Sequence, residues 1–422
     1  MKNLKRGVAA AAIAAVAAAS FAMAAPAQAA SSTVTIWGDQ TSHDAVFPAL
    51  SKWGKTAKIT INWVVKDFGQ LRAQAITAIP TGSGPDIIAG AHDWTGKLLG
   101  AGVIAPVSLG ANAKSFSKSA LSGFQVYGKQ YGIPGWTENI ALVYNKTKAA
   151  TPVKTGAQFA DAIAAGKVEV SFGAVNGDPY HFAAFDTSFG LSQYKRLNGT
   201  WTTQIGEGGA AGANFANWLA SATGGKALNS ANNGDWNTAI GQLQDPNSPV
   251  AYWVTGPWAI SSLEAAGSYK VNNVATTTPA LTKAQIGVAS FPSIGGSTVH
   301  QFSGVRGYWE SVKVPGSSKA VAVGKVMSYL AGPALQSAVY NLKQLIPANQ
   351  AALAKVKDPI LLGFGKAGVN AYPMASFVFQ DNTWSSLGKA EAAIIAGNTA
   401  NKDAATFWQD AINTLQSTID NS

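Results

Sequence analysis

Apolar positions along this chain recur with two periods. Val34-Thr35-Ile36-Trp37 reads as a buried strand, and Gly38-Asp39-Gln40 makes the turn after it. A helix is predicted over about 43–54, with Ala45, Leu50 and Trp53 on its apolar side. Residues 58–65 alternate like a second strand. Leu71, Ala75, Ile76 and Ile79 then share one helical face over 68–79. After the turn signal Gly84-Pro85, Ile87-Ile88 opens a third strand. Strand, helix, strand, helix, strand predicts a mostly parallel sheet with helices on its faces. Ligands of open α/β sheets sit at the carboxyl ends of the strands. His92, Asp93 and Trp94 stand at such an end.

Further along, 128–131 is hairpin-like, 140–144 is an apolar strand, and 132–139 reads as a connection into it. A helix over 156–165 precedes a strand over 168–172, and helices are predicted over 182–189 and 212–222. A polar connection covers 224–233. Residues 250–254 read as a strand ending at Gly256-Pro257-Trp258, with a helix from there to about 266 and a strand over 287–291. The remainder is expected to be largely helical: 319–331, 333–342, 349–355, 383–396 and 404–418. No repeat of fixed period occurs. A chain of 422 residues exceeds one typical core, so two interwoven lobes are expected.

The N-terminus changes the picture. Lys2, Lys5 and Arg6, an Ala-rich apolar run and Ala27-Gln28-Ala29 together predict a secretory signal peptide over 1–29. No later run is long and apolar enough to span a bilayer. The chain has no cysteine, which excludes disulfides, thiol catalysis and a lipid-modified N-terminal cysteine. Its net charge of +10 is scattered, without the stripe that nucleic acid requires. Only 12% of residues are charged, where about 25% is usual. Few buried or paired carboxylates would mean little stability lost to acid, an expectation of acid tolerance that suits an acidic habitat; a lineage bias toward Ala, Gly, Ser and Thr is the other reading.

Known catalytic motifs are missing. His43, His92, His181 and His300 are far apart in sequence, and none forms a metal-binding His-x-x-x-His pair. There is no nucleophile elbow and no phosphate loop. Glu138 with Asp93 or Asp178 offers the two carboxylates of a glycosidase, an arrangement common by chance in a chain this size. The 13 tryptophans are the better clue. Trp94, Tyr180, Trp258 and Trp384 stand near predicted loops or element ends. Aromatic faces stack on the C–H faces of a pyranose, while Asp and Glu accept bonds from its hydroxyls.

Gly84 to Gly96, GPDIIAGAHDWTG, resembles the GPDII-x-x-AHD segment of the maltose-binding protein family, the solute-binding components of ABC sugar importers. PGWTENIALVYNK, Asp178-Pro179-Tyr180, Gly256-Pro257-Trp258-Ala259 and LIPAN are similar to further segments of that family, over nearly the whole chain. The resemblance implies a type II periplasmic-binding-protein fold, α/β, with two lobes and three hinge crossovers near Trp136, Val288 and Leu345. One lobe would take 30–136 and 289–345, the other 137–288 and 346–422. It implies hydroxyl-accepting acids at Asp39, Asp93, Glu138 and Asp178, and stacking surfaces at Tyr180, Trp258 and Trp384. Gln40 and Trp94 occupy ligand positions where the family often has Lys and Arg. Gly388 replaces another Arg, and Gly90 a Trp, as if an aromatic had moved by a few positions. Maltose, maltotriose or a related oligosaccharide is the implied ligand, and a membrane permease the partner. A periplasmic or extracellular monomer with no cofactor and no catalysis is expected. A secreted glycosidase and a lectin-like wall binder are the rival readings.

Overall fold

The computed structural model describes residues 32–170, 177–198, 200–228, 235–271, 274–343 and 345–422. The predicted signal peptide, the end of the 168–172 strand and part of the 224–233 connection lie outside them. The main strands, in chain order, are β1 (Ser32–Gly38), β2 (Ile59–Val65), β3 (Ile87–Ala91), β4 (Gly132–Asn139), β5 (Ala141–Asn145), β6 (Val168–Val170), β7 (Tyr252–Thr255), β8 (Ile286–Ala289), β9 (Phe302–Glu310), β10 (Ile346–Pro347) and β11 (Tyr372–Pro373). They build two sheets, one per lobe. The seven-stranded sheet runs β10-β4-β9-β3-β1-β2, with β11 beside β9; the four-stranded sheet runs β8-β5-β7-β6.

Both sheets are buried on both faces, as sheets flanked by helices must be. Val34 and Ile36 of β1 pack with Leu50 of helix α1 (Gln40–Ala57). Ile88 of β3 and Trp309 of β9 pack on the opposite face with Leu71 of helix α2 (Phe68–Ala78). In the second lobe β5 divides its side chains by the two-residue period: Leu142 and Tyr144 enter one core, Ala141 and Val143 the other. Each large apolar side chain buried this way stabilises the fold by about 1.5–3 kcal/mol.

The chain passes between the sheets three times. β4 runs into β5 through Ile140 alone, β8 leads to β9, and the chain after β10 reaches the helix Pro359–Ala367, which packs on β8.

Two long strands of the larger sheet depart from the sequence reading. Residues 132–139 form β4, and β9, which the periodicity misses, lies in the middle of the larger sheet. Close backbone approach explains both. A Cβ on Gly307 would lie 2.4 Å from Ile133 O, and one on Gly132 the same distance from the Phe124 ring. β4 also carries a bulge at Gly135, since Arg306 faces Trp136 while Gly307 faces Pro134. The predicted helix to 266 stops at Leu263, and Gly267–Val271 pairs instead with Val274–Thr278. Among the described residues no helix is long and apolar enough to cross a membrane.

Candidate functional site

The carboxyl ends of β1 and β3 and the end of β4 bring three acids together, with an arginine from β9 among them. Asp39 caps α1: its Oδ1 accepts from Ser42 N at 2.9 Å. Arg306 lies level with Ala91 of β3 and Trp136 of β4. Its Nη2 donates to Asp39 Oδ2 at 2.7 Å and to Ser42 Oγ at 3.0 Å. The rings of Phe68 and Trp136 flank the guanidinium, at 4.4 and 5.6 Å. Burial works against the Asp39 carboxylate, but Arg306 and Ser42 outweigh it and hold its pKa below the usual value. Burial pushes Glu138 up to about 6, with the charges of Asp39 and Asp93 adding and Arg306 and the Trp136 hydrogen bond opposing.

Asp93 sits in the short 3₁₀ turn that follows β3. Burial raises its pKa, against the nearby His92 and Arg72 and a hydrogen bond from Trp384 Nε1 at 3.2 Å. His92 beside it is structural. Its Nδ1 accepts from Val305 N at 3.0 Å, so Nε2 carries the hydrogen and donates to Met374 O at 3.1 Å. Burial depresses its pKa and keeps it neutral.

Aromatic rings from the second lobe face these acids. Tyr180 stacks on Phe302 at 6.1 Å and 12°, and Trp258 tilts against it at 6.1 Å. Trp384 meets the Phe302 edge at 5.4 Å. Tyr180 rides on helix α3 (Pro179–Asp186), and its hydroxyl is buried with no partner among the described residues. Burial raises its pKa well above the usual value, and the charges of Glu138, Asp178 and Asp93 add to the effect. The structure thus brings Asp39, Asp93, Glu138, Tyr180, Trp258 and Trp384 into one neighbourhood.

Three predicted residues have partners of their own within the protein. Gln40 is exposed and donates to Asp44 Oδ1 at 2.6 Å. Asp178 caps α3 and pairs with His181 Nδ1 at 2.5 Å. Trp94 corrects the expectation of a ligand-facing ring: it is 4% exposed, stacked on Trp309 at 6.2 Å and packed against Phe68. Its ring fills the space above Gly90, where a Cβ would lie 2.2 Å away.

Sequence reasoning missed Arg306, Phe302 and an ion pair between Arg72 of α2 and Asp381 of helix α4 (Gln380–Ala396). The Arg72–Asp381 pair joins the two lobes at partly exposed positions. Asp381→Asn should speed ligand dissociation up to about fivefold, the worth of a partly exposed pair. Stopped-flow release at low salt checks this, and an unchanged rate would show that the pair does not hold the lobes.

Among the described residues no group of histidine and acid side chains is arranged to hold a metal. The profile of a family described as bacterial extracellular solute-binding protein matches residues 49–362. The chain belongs to this family. It is 25% identical over 403 residues to the maltodextrin-binding protein MdxE of Bacillus subtilis, covering 92% of this chain and 90% of that one. Its fold matches the maltotriose-binding protein of Thermus thermophilus with a TM-score of 0.75 at 22% identity, over 92% of this chain and 100% of that one. It also matches the maltose-maltodextrin binding protein of the thermoacidophile Alicyclobacillus acidocaldarius, at 0.72 and 21%, over 91% and 100%. Two lobes of type II periplasmic-binding-protein architecture are therefore the fold, and members of the family are extracellular and bind solutes.

Proposed function

We propose that this protein captures an α-linked glucose oligosaccharide, maltose or maltotriose, and delivers it to the membrane-spanning subunits of an ABC importer. The observation that carries the reading is the meeting of Asp39, Asp93 and Glu138 with Tyr180, Trp258 and Trp384 where the lobes face each other. Carboxylates accept hydroxyl bonds and rings cover apolar sugar faces. The names of relatives that bind maltodextrin and maltotriose support the sugar class.

Ligand gripped by both lobes favours the closed form, so binding drives hinge closure at crossovers near Trp136, Val288 and Leu345. The protein acts as a monomer without a lipid anchor, and cleaves no bond. Calorimetry over maltose, maltotriose, maltotetraose and cellobiose tests the sugar, and scattering tests closure. Binding of an α-linked member with a smaller radius of gyration is expected. No binding across the panel, or release of reducing sugar, overturns the reading.

A further inference from the structure

A guanidinium is buried among the acids of the site. On the paired strands β4 and β9, Gly304 faces Glu138 and Arg306 faces Trp136, which puts Glu138 and Arg306 on one face two residues apart. We propose that Arg306 is the positioning residue of the sugar site: it fixes the Asp39 carboxylate and, from the same face of the sheet, supplies the positive charge beside which Glu138 accepts a hydroxyl as a carboxylate. The inference rests on the oligosaccharide reading.

The geometry supports each part. Asp39 is held through both oxygens, Oδ1 by Ser42 N and Oδ2 by Arg306 Nη2. A carboxylate has about four acceptor sites, and the Ser42 hydroxyl takes a third, so one remains for a ligand hydroxyl. Phe68 and Trp136 hold the guanidinium plane, and an arginine side chain only 10% exposed is poorly screened by water. Its Nε–H is buried and finds no acceptor among the described residues. An arginine serving only the fold would be expected to have that donor satisfied.

The groups facing Glu138 come from every neighbouring element. Arg306 projects from β9, Asp39 from the turn after β1, Asp93 from the end of β3 and Tyr180 from α3, while the Trp136 side chain bonds Glu138 directly. Arg306 is the cation among them. Without it, the repulsion from Asp39 and Asp93 remains and Glu138 gains a proton at higher pH. Affinity then fails at a pH where the native protein still binds.

Two measurements on the full chain test this. In the first, the Glu138 carboxyl is followed by ¹³C NMR without ligand, its signal assigned through Glu138→Gln. Its midpoint should rise on the order of one pH unit in Arg306→Met and stay near the native value in Arg306→Lys. Arg306→Gln replaces the methionine variant if that one does not fold. In the second, maltotriose affinity is measured from pH 5 to 8. Arg306→Met should lose at least about tenfold at pH 7, with its pH profile displaced upward. That displacement should vanish in the Glu138→Gln background. An unmoved Glu138 midpoint, or an equal loss at every pH with no rescue by lysine, overturns the proposal. Failure of the native protein to bind any maltooligosaccharide would overturn the sugar reading, and with it the sugar-positioning role, while the ligand-free titration would still decide whether Arg306 governs Glu138.

Discussion

Glutamine in place of Glu207 should stabilise the protein by about 1–3 kcal/mol at pH 8. Glu207, Asp186 and Glu391 are all buried in the second lobe, at 1%, 7% and 1% exposure. Both oxygens of Glu207, one of Asp186 and one of Glu391 find no hydrogen-bond partner among the described residues. Burial pushes Asp186 up to about 8. It also raises Glu207 and Glu391 well above the ordinary value, with repulsion among the three adding to it and Asp178 adding at Glu391. An acid whose pKa is higher in the fold than in the unfolded chain favours folding while protonated. That contribution is complete below about pH 4 and is lost as pH rises through about 8.

Asp39 and His92 act in the other direction. The lowered pKa of Asp39 gives stability above about pH 4 that is lost as pH falls, and neutral His92 loses its share below about pH 6.5. The native unfolding midpoint should therefore peak near mildly acidic pH and fall toward pH 8. A glutamine amide brings donors that this cluster lacks, and it needs no proton to do so. Thermal unfolding from pH 4 to 9 checks both statements. A native midpoint that climbs from pH 5 to 8, or a variant no more stable than the native protein at pH 8, would refute them. The low charge content pointed toward acid tolerance through a scarcity of paired carboxylates. Several of the few acids are instead buried in a way that suits the protonated form, a separate ground on which the same expectation rests.

Removing the Trp258 ring should weaken oligosaccharide binding by about 1.5–3 kcal/mol, from the contact area lost. Trp258 follows β7 in a Gly-Pro turn, and its ring covers Gly256, where a Cβ would approach within 2.1 Å. It is partly buried, contacts Tyr180 and sits 6.1 Å from His181. Two cores of the second lobe back it, so the ring is held before any ligand arrives. Trp258→Phe should keep part of the affinity because a smaller ring remains in place. Calorimetry on Trp258→Ala, alongside its unfolding midpoint, separates binding from folding. A loss under about 0.5 kcal/mol, the low end for an aromatic contact, would exclude the ring from the site.

Much of the frame was legible because local pattern and burial agree there. β1, β3, β5 and β7 are short apolar runs bounded by turn residues, and the acids after β1 and β3 sit where such strands end. β9 was not legible. In Phe302 to Glu310 three polar or charged residues and two glycines interrupt the apolar positions, and the strand is buried between β3 and β4 rather than amphipathic. Arg306 was missed with it. An arginine between glycines in an otherwise apolar stretch was the available signal, since such a side chain is rarely buried without a partner. Asp39 and Asp178 both read as cap or ligand residue. Tertiary contact separates them: Asp39 is a cap that also meets Arg306, whereas Asp178 is occupied by His181.

The contact between Gly90 and Trp94 ties the two positions to one volume. A Cβ at 90 would collide with the indole from 94, and a smaller side chain at 94 would leave the space over Gly90 empty. Substitutions at the two positions are therefore expected to be non-additive: a larger residue at 90 should cost less stability once the indole is gone than while it is present.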